Sequence, residues 1–102
     1  MEVVVEARPD EGRLLLGGDL DITSIEAARR AFDVVAAAGA ARVVVDLHDV
    51  AFMDSSALGM LVGWHKLLAA AGRTLALERV PQRIARMLSL TGLDRVLEVR
   101  PA

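Results

Sequence analysis

Cysteine is absent from the 102 residues, which excludes disulfide scaffolds and thiolate metal sites and leaves a reducing compartment open. Tyrosine is absent as well, and one Trp and two Phe bring the aromatic content to only 3%. The core is therefore expected to be aliphatic, built from Val, Leu, Ile and Ala. Neither sign of charge dominates: 14 acidic residues face 12 basic ones, for a net charge of −2. No run of five like charges occurs. That balance argues against nucleic acid as a partner and against an acidic or basic tail. The N-terminus lacks a basic region followed by an apolar stretch of signal length. The longest nearly uncharged stretch, around Ser55 to His65, is too short to cross a bilayer and holds two glycines. These absences predict a soluble, cytoplasmic protein without direct membrane insertion. What is abundant is apolar residue, at 54%. This supplies a core for one compact domain over 1–102 and no more than one.

Strand and helix signals alternate along the chain. The β-branched run Val3 to Val5 predicts a strand, Pro9, Asp10, Glu11 and Gly12 a turn, and Arg13 to Leu16 a second strand ended by Gly17 and Gly18. Asp21, Thr23 and Ser24 are cap candidates for a helix reaching about Ala38, with Ile25, Ala28, Phe32 and Val35 at helical spacing. Continuous Val43, Val44 and Val45 within Arg42 to Leu47 predict a central strand covered on both faces. A loop and a long helix, about Ser55 to Ala71, follow. Thr74 to Leu77 predict a short strand. Pro81 opens a third helix carrying Ile84, Met87, Leu88 and Thr91, stopped at Gly92, and Val96 to Val99 a last strand. The sum, β-β-α-β-α-β-α-β, predicts an α/β fold with a mixed, mostly parallel sheet and helices packed on it.

The stretch from Asp46 to Gly59 carries the chemistry. A buried strand ends there and a helix starts with Asp54, Ser55 and Ser56. Sites in open α/β sheets lie at the carboxyl ends of strands. Asp54 can cap the helix and leave Ser55 in its first turn, where unpaired N–H groups and the positive end of the dipole can hold a phosphate. From these residues alone two readings stay open. Asp54, Ser55 and Ser56 are ordinary caps, or Ser55 accepts a phosphate of charge about −1.5 to −2 that switches binding more readily than folding.

Phe52, Met53, Asp54, Ser55, Ser56, Ala57, Leu58 and Gly59 resemble the phosphorylation loop of STAS-domain anti-sigma-factor antagonists, whose common form is Phe-(Ile/Met)-Asp-Ser-Ser-Gly-Leu-Gly. Gly18, Asp19, Leu20 and Asp21 resemble the family's segment after its second strand. Val43 to Leu47 resemble its central strand, and Leu90, Thr91, Gly92 and Leu93 its late Gly-Leu turn. The four pieces fall in the family's order across nearly the whole chain. The resemblance implies a single STAS domain that is not an enzyme and needs no cofactor. It implies phosphorylation at Ser55. It also implies binding to an anti-sigma factor with GHKL-type serine kinase activity, which frees a sigma factor, and reversal of the ATP-dependent phosphorylation by a separate serine phosphatase. Asp21, Asp54 and Ser56 would flank the acceptor on the surface the kinase reads. Ala57 stands where the family has Gly and adds a methyl group there, with an expected effect on phosphorylation rate or partner choice.

The long helix is apolar on more than one side. Leu58, Leu61, Val62, Leu68 and Ala69 are expected to cover the sheet, with Met60, Trp64 and Leu67 as an adjacent stripe. That stripe either packs on a neighbouring helix or forms an exposed partner patch. On the second reading Met60 and Trp64, with Gly59 and Gly63 as a bare strip beside Lys66, join the partner-binding residues. Rival chemistries fare poorly. No Gly-x-Ser-x-Gly elbow, Walker loop or Gly-x-Gly-x-x-Gly is present. His65 lies about 15 Å along the same helix from Ser55, and His48 has no evident orienting group. Asp19, Asp21, Asp46, Asp49 and Asp54 are expected to be solvated rather than to hold a metal. Within the same fold, the alternative role is an adaptor subunit of a transporter of the lipid-transport ATPase type, or a stress-signalling scaffold without phosphotransfer.

Overall fold

A computed structural model describes residues 2–101. It contains β1 (Glu2–Ala7), β2 (Gly12–Leu20), α1 (Ile25–Ala37), β3 (Arg42–Met53), α2 (Ser55–Ala70), β4 (Thr74–Val80), α3 (Gln82–Leu90) and β5 (Glu98–Pro101), with a short 3-10 turn at Leu93–Arg95. The five strands form one sheet in the order β1-β2-β3-β4-β5. β1 runs antiparallel to β2, and every other neighbouring pair is parallel. The chain is therefore a single α/β domain. Among the described residues no helix is long and apolar enough to cross a membrane.

Alternation along the strands decides where the core lies. Leu14 and Leu16 of β2, Val43, Val45 and Leu47 of β3, and Leu75 and Leu77 of β4 join one buried cluster with residues of all three helices. Sequential parallel strands joined by right-handed crossovers put their helices on one side of the sheet. The intervening residues therefore face away from the helices. Val44 and Ala76 pair across β3 and β4 on that face and are still fully buried. Their cover is not a second helical layer but a lattice of charged side chains. Arg42 Nη2 donates to Glu98 Oε2 at 2.6 Å, and Arg13 Nη2 to Glu78 Oε1 at 3.3 Å. The aliphatic stems of such side chains shield apolar surface while the heads stay wet.

Asp46 is the one buried charged residue among those described. Its Oδ2 accepts from Arg79 Nε at 2.7 Å, its Oδ1 accepts from the His48 backbone N–H at 2.9 Å, and Arg13 lies 3.9 Å away. Arg79 has φ +49°, the only positive φ outside glycine among the described residues, and sits where the β4–β5 register shifts. A bulge re-aims a side chain. Here it turns an arginine onto the carboxylate of the central strand.

Several expected boundaries move, among them that of β4, which runs on past Leu77 to Val80. β2 does not stop at Gly17 and Gly18 but runs on to Leu20, with register shifts on either side of this pair; Gly18 has φ +83°, which a side chain would oppose. β3 does not give way to a loop after Leu47. It continues through polar His48 and Asp49 to Met53, because the prolonged β2 offers partners: Gly17 faces Asp49, Asp19 faces Phe52 and Leu20 faces Met53. The last strand begins at Glu98 rather than Val96, because the chain after Gly92 first closes a 3-10 turn in which Val96 N–H reaches Leu93 O at 3.0 Å.

Candidate functional site

The paired extension of β2 and β3 carries both strands to one end of the sheet, where α1 and α2 begin. β3 ends at Met53, buried in the core, and Asp54 turns the chain with extended backbone (φ −101°, ψ −177°) into α2. That is the conformation of an N-cap. Asp54 Oδ1 accepts from the Ala57 N–H at 3.0 Å. Ser55 is the first helical residue and is exposed. Among the described residues its hydroxyl has no hydrogen-bond partner. The N–H groups of a first helical turn lack intrahelical acceptors, so a phosphate on Ser55 would meet unpaired donors and the positive end of the dipole.

A second turn closes beside it. The Leu20 carbonyl accepts from the Asp54 N–H at 3.2 Å, and Asp54 Oδ2 accepts from the Ile22 N–H at 3.1 Å. Asp21 folds its carboxylate over its own turn, accepting from the Thr23 hydroxyl at 2.6 Å and the Thr23 N–H at 2.9 Å. The Thr23 hydroxyl, then the Thr23 N–H, hold the Asp21 carboxyl below the usual aspartate range. Ser24 precedes α1 without capping it. Its Oγ instead donates to the Asp19 carbonyl at 2.8 Å and accepts from the Asp21 N–H at 3.0 Å.

The residues expected at the site divide. Asp21, Asp54, Ser55 and Ser56 come together at this mouth, Ser56 half-buried. Gly59 and Gly63 continue the exposed lane along α2 at four-residue steps from Ser55, with open space where side chains would stand. Met60 and Trp64 do not belong to a surface stripe. They are 4% and 6% exposed and pack in the core, where Trp64 stacks on Phe32 of α1 with ring centroids 4.4 Å apart. The buried face of α2 is Ala57, Met60, Leu61, Trp64 and Leu68, one step around from the face expected, and Ala69 is exposed. Ala57 is likewise fully buried, so its methyl fills the interior and is not presented to a partner. Two exposed apolar residues at the mouth were not foreseen: Ile22 at 66% and Phe52 at 49%. The signal for Phe52 was its place in a strand opposite polar Asp19, visible only once the register is known.

Other chemistries find little support here. His48 Nδ1 lies 3.0 Å from its neighbour Asp49, both exposed, and His65 sits on α2 ten residues beyond Ser55. Among the described residues no three His, Cys, Asp or Glu are grouped to hold a metal ion. Asp46, one of the five acids considered for such a group, is held by arginine.

A hydroxyl exposed at a helix mouth beyond a long central strand is one arrangement among many, and comparison with known proteins decides its family. The family model described as "Mlab, STAS domain" matches residues 3–99. The chain belongs to the STAS domain family. An anti-sigma-B factor antagonist of Bacillus subtilis is 30% identical over 101 residues, which cover 97% of this chain and 92% of that one. A solved anti-sigma factor antagonist from Mycobacterium paratuberculosis superposes with a TM-score of 0.88 at 24% identity, covering 99% of this chain and 86% of that one. The Bacillus cell fate determinant SpoIIAA in its phosphorylated form gives a TM-score of 0.74 at 19% identity, covering 96% and 90%. These two structures establish the fold, and the Bacillus subtilis relative aligns along nearly the full length of both chains.

Proposed function

We propose that this STAS domain is an anti-sigma factor antagonist whose binding is controlled by phosphorylation of Ser55. The observation that carries the reading is the exposed, unpartnered Ser55 hydroxyl in the first turn of α2, next to a capping aspartate. The names of the relatives favour a regulator over a transporter adaptor, a role that asks nothing of this hydroxyl. In the unphosphorylated state the mouth formed by Asp21, Ser55 and Ser56 and the lane of Gly59 and Gly63 meet an anti-sigma factor, which then releases its sigma factor. That partner is also a serine kinase. The Ser55 oxygen attacks the γ-phosphorus of ATP, the bond from that phosphorus to the bridging oxygen of ADP breaks, and the hydroxyl proton passes to a base of the kinase. A serine phosphatase returns the hydroxyl by hydrolysis. The chain itself is a substrate and a ligand, not a catalyst, and acts in the cytoplasm with its partners.

The phosphate adds about −1.5 to −2 charge beside Asp54 and Asp21. A surface matched to a neutral hydroxyl is then opposed by charge and by the cost of desolvating the phosphate. Helix α2 is not opposed, because negative charge at its first turn is favourable. The test is site mapping by mass spectrometry after incubation with the purified anti-sigma kinase and ATP. One phosphate on Ser55, absent from Ser55→Ala, is expected. A phosphate on another residue of the wild-type chain would remove the site assignment.

A further inference from the structure

We infer that Asp54 is a positioning residue, not a contact that the partner reads: its single carboxylate fixes the Ile22 turn against the acceptor serine. The inference rests on Ser55 being the acceptor, and it adds an element on the far side of the mouth. Both Asp54 oxygens accept hydrogen bonds from the chain's own backbone. Oδ1 takes the Ala57 N–H at 3.0 Å and Oδ2 takes the Ile22 N–H at 3.1 Å. The Asp54 N–H is also taken up, by the Leu20 carbonyl at 3.2 Å. One residue therefore joins the start of α2 to a turn 32 positions earlier in the chain.

Backbone pairing ties the chain to the start of α2 only as far as Leu20, two residues before Ile22. Its side chain is 66% exposed, so burial does not fix the turn. The hydrogen bonds of Asp21 and Ser24 shape the turn internally but do not reach α2. Beyond Leu20, the Asp54 carboxylate supplies the side-chain link between the two. It presents a branched apolar side chain and the acceptor hydroxyl in a constant relative placement, and a surface so preorganised loses less freedom when a partner docks. A carboxylate suits this task because it accepts two bonds in different directions, and charge-assisted bonds to backbone N–H groups are stronger than neutral ones.

Asp54→Ser in the full chain separates the two bonds. Serine remains a good N-cap for Ala57, but its one oxygen on a short stem cannot also serve Ile22. Amide hydrogen exchange followed by NMR is expected to show Ile22 exchanging about fivefold faster, the share of one lost hydrogen bond, with Ala57 and Leu58 unchanged. With the purified anti-sigma kinase and ATP, the same variant is expected to raise the KM for the chain about fivefold and to leave kcat within about twofold. Unaltered Ile22 exchange in Asp54→Ser overturns the inference. So does a fall in kcat at unchanged KM, which would place Asp54 in the chemistry. The exchange arm involves no kinase, so it reports on Asp54 even if Ser55 proves not to be the acceptor.

Discussion

Phe32 and Trp64 lie face to face, ring centroids 4.4 Å apart and planes within 4° of parallel, and so join α1 to α2 in a core that is otherwise aliphatic. The stack uses two of the three aromatic residues in the chain. Trp64→Ala removes the indole from a site 6% exposed and leaves Phe32 facing a cavity. A loss of about 3–5 kcal/mol is expected, the usual range for truncating a buried aromatic. Urea unfolding checks it: a midpoint close to wild type would put Trp64 back on the surface.

Arg79 offers a comparison between two substitutions. Arg79→Ala removes the 2.7 Å bond to Asp46, leaving that buried carboxylate with the His48 N–H and with Arg13 at 3.9 Å. The expected cost is about 1–3 kcal/mol. Arg79→Gly loses the same bond but no longer holds a Cβ at φ +49°. The glycine variant is therefore expected to be the more stable of the two, by about 1 kcal/mol. Denaturant midpoints measured side by side decide this; an alanine variant as stable as the glycine variant contradicts the left-handed assignment.

The turn before α1 carries a pH signature. The Asp21 carboxyl is held below the usual aspartate range, first by the Thr23 hydroxyl and then by the Thr23 N–H. Because the folded value is the lower one, its contribution to stability is fully present above the unfolded value. That contribution is lost as pH falls through the folded value, below about pH 4. Thr23→Val deletes the hydroxyl, so Asp21 should titrate closer to an ordinary aspartate. A carboxyl-carbon NMR titration that leaves Asp21 unmoved would contradict the hydrogen bond.

Much of this architecture was readable along the chain, and the failures share a cause. Val43 to Val45 announced a central strand, and the residues around Gly92 announced a helix stop, because both signals are local. The continuation of β3 through His48 and Asp49 was hidden: those residues are polar, and their strand state depends on β2 passing two glycines with shifted register. Helix α2 misled because it is apolar nearly all round. Leu58, Val62, Leu67 and Ala69 compete with Met60 and Trp64 for the buried face, and periodicity alone cannot choose among them. Only packing against Phe32 does. At the site, the cap by Asp54 was legible within four residues, while its bond to Ile22 was not, since nothing local links positions 22 and 54. Asp46 stood inside an apolar run, but its partner Arg79 is aimed at it by a backbone irregularity that no residue pattern announces.

A phosphate on Ser55 is expected to change what the domain binds and not whether it folds. Isothermal titration of the purified anti-sigma factor with the chain in its Ser55-phosphorylated and unphosphorylated forms tests it directly. Binding at least about tenfold weaker is expected for the phosphorylated form, with both forms giving the same folded spectrum before titration. Equal affinities of two folded forms would contradict it.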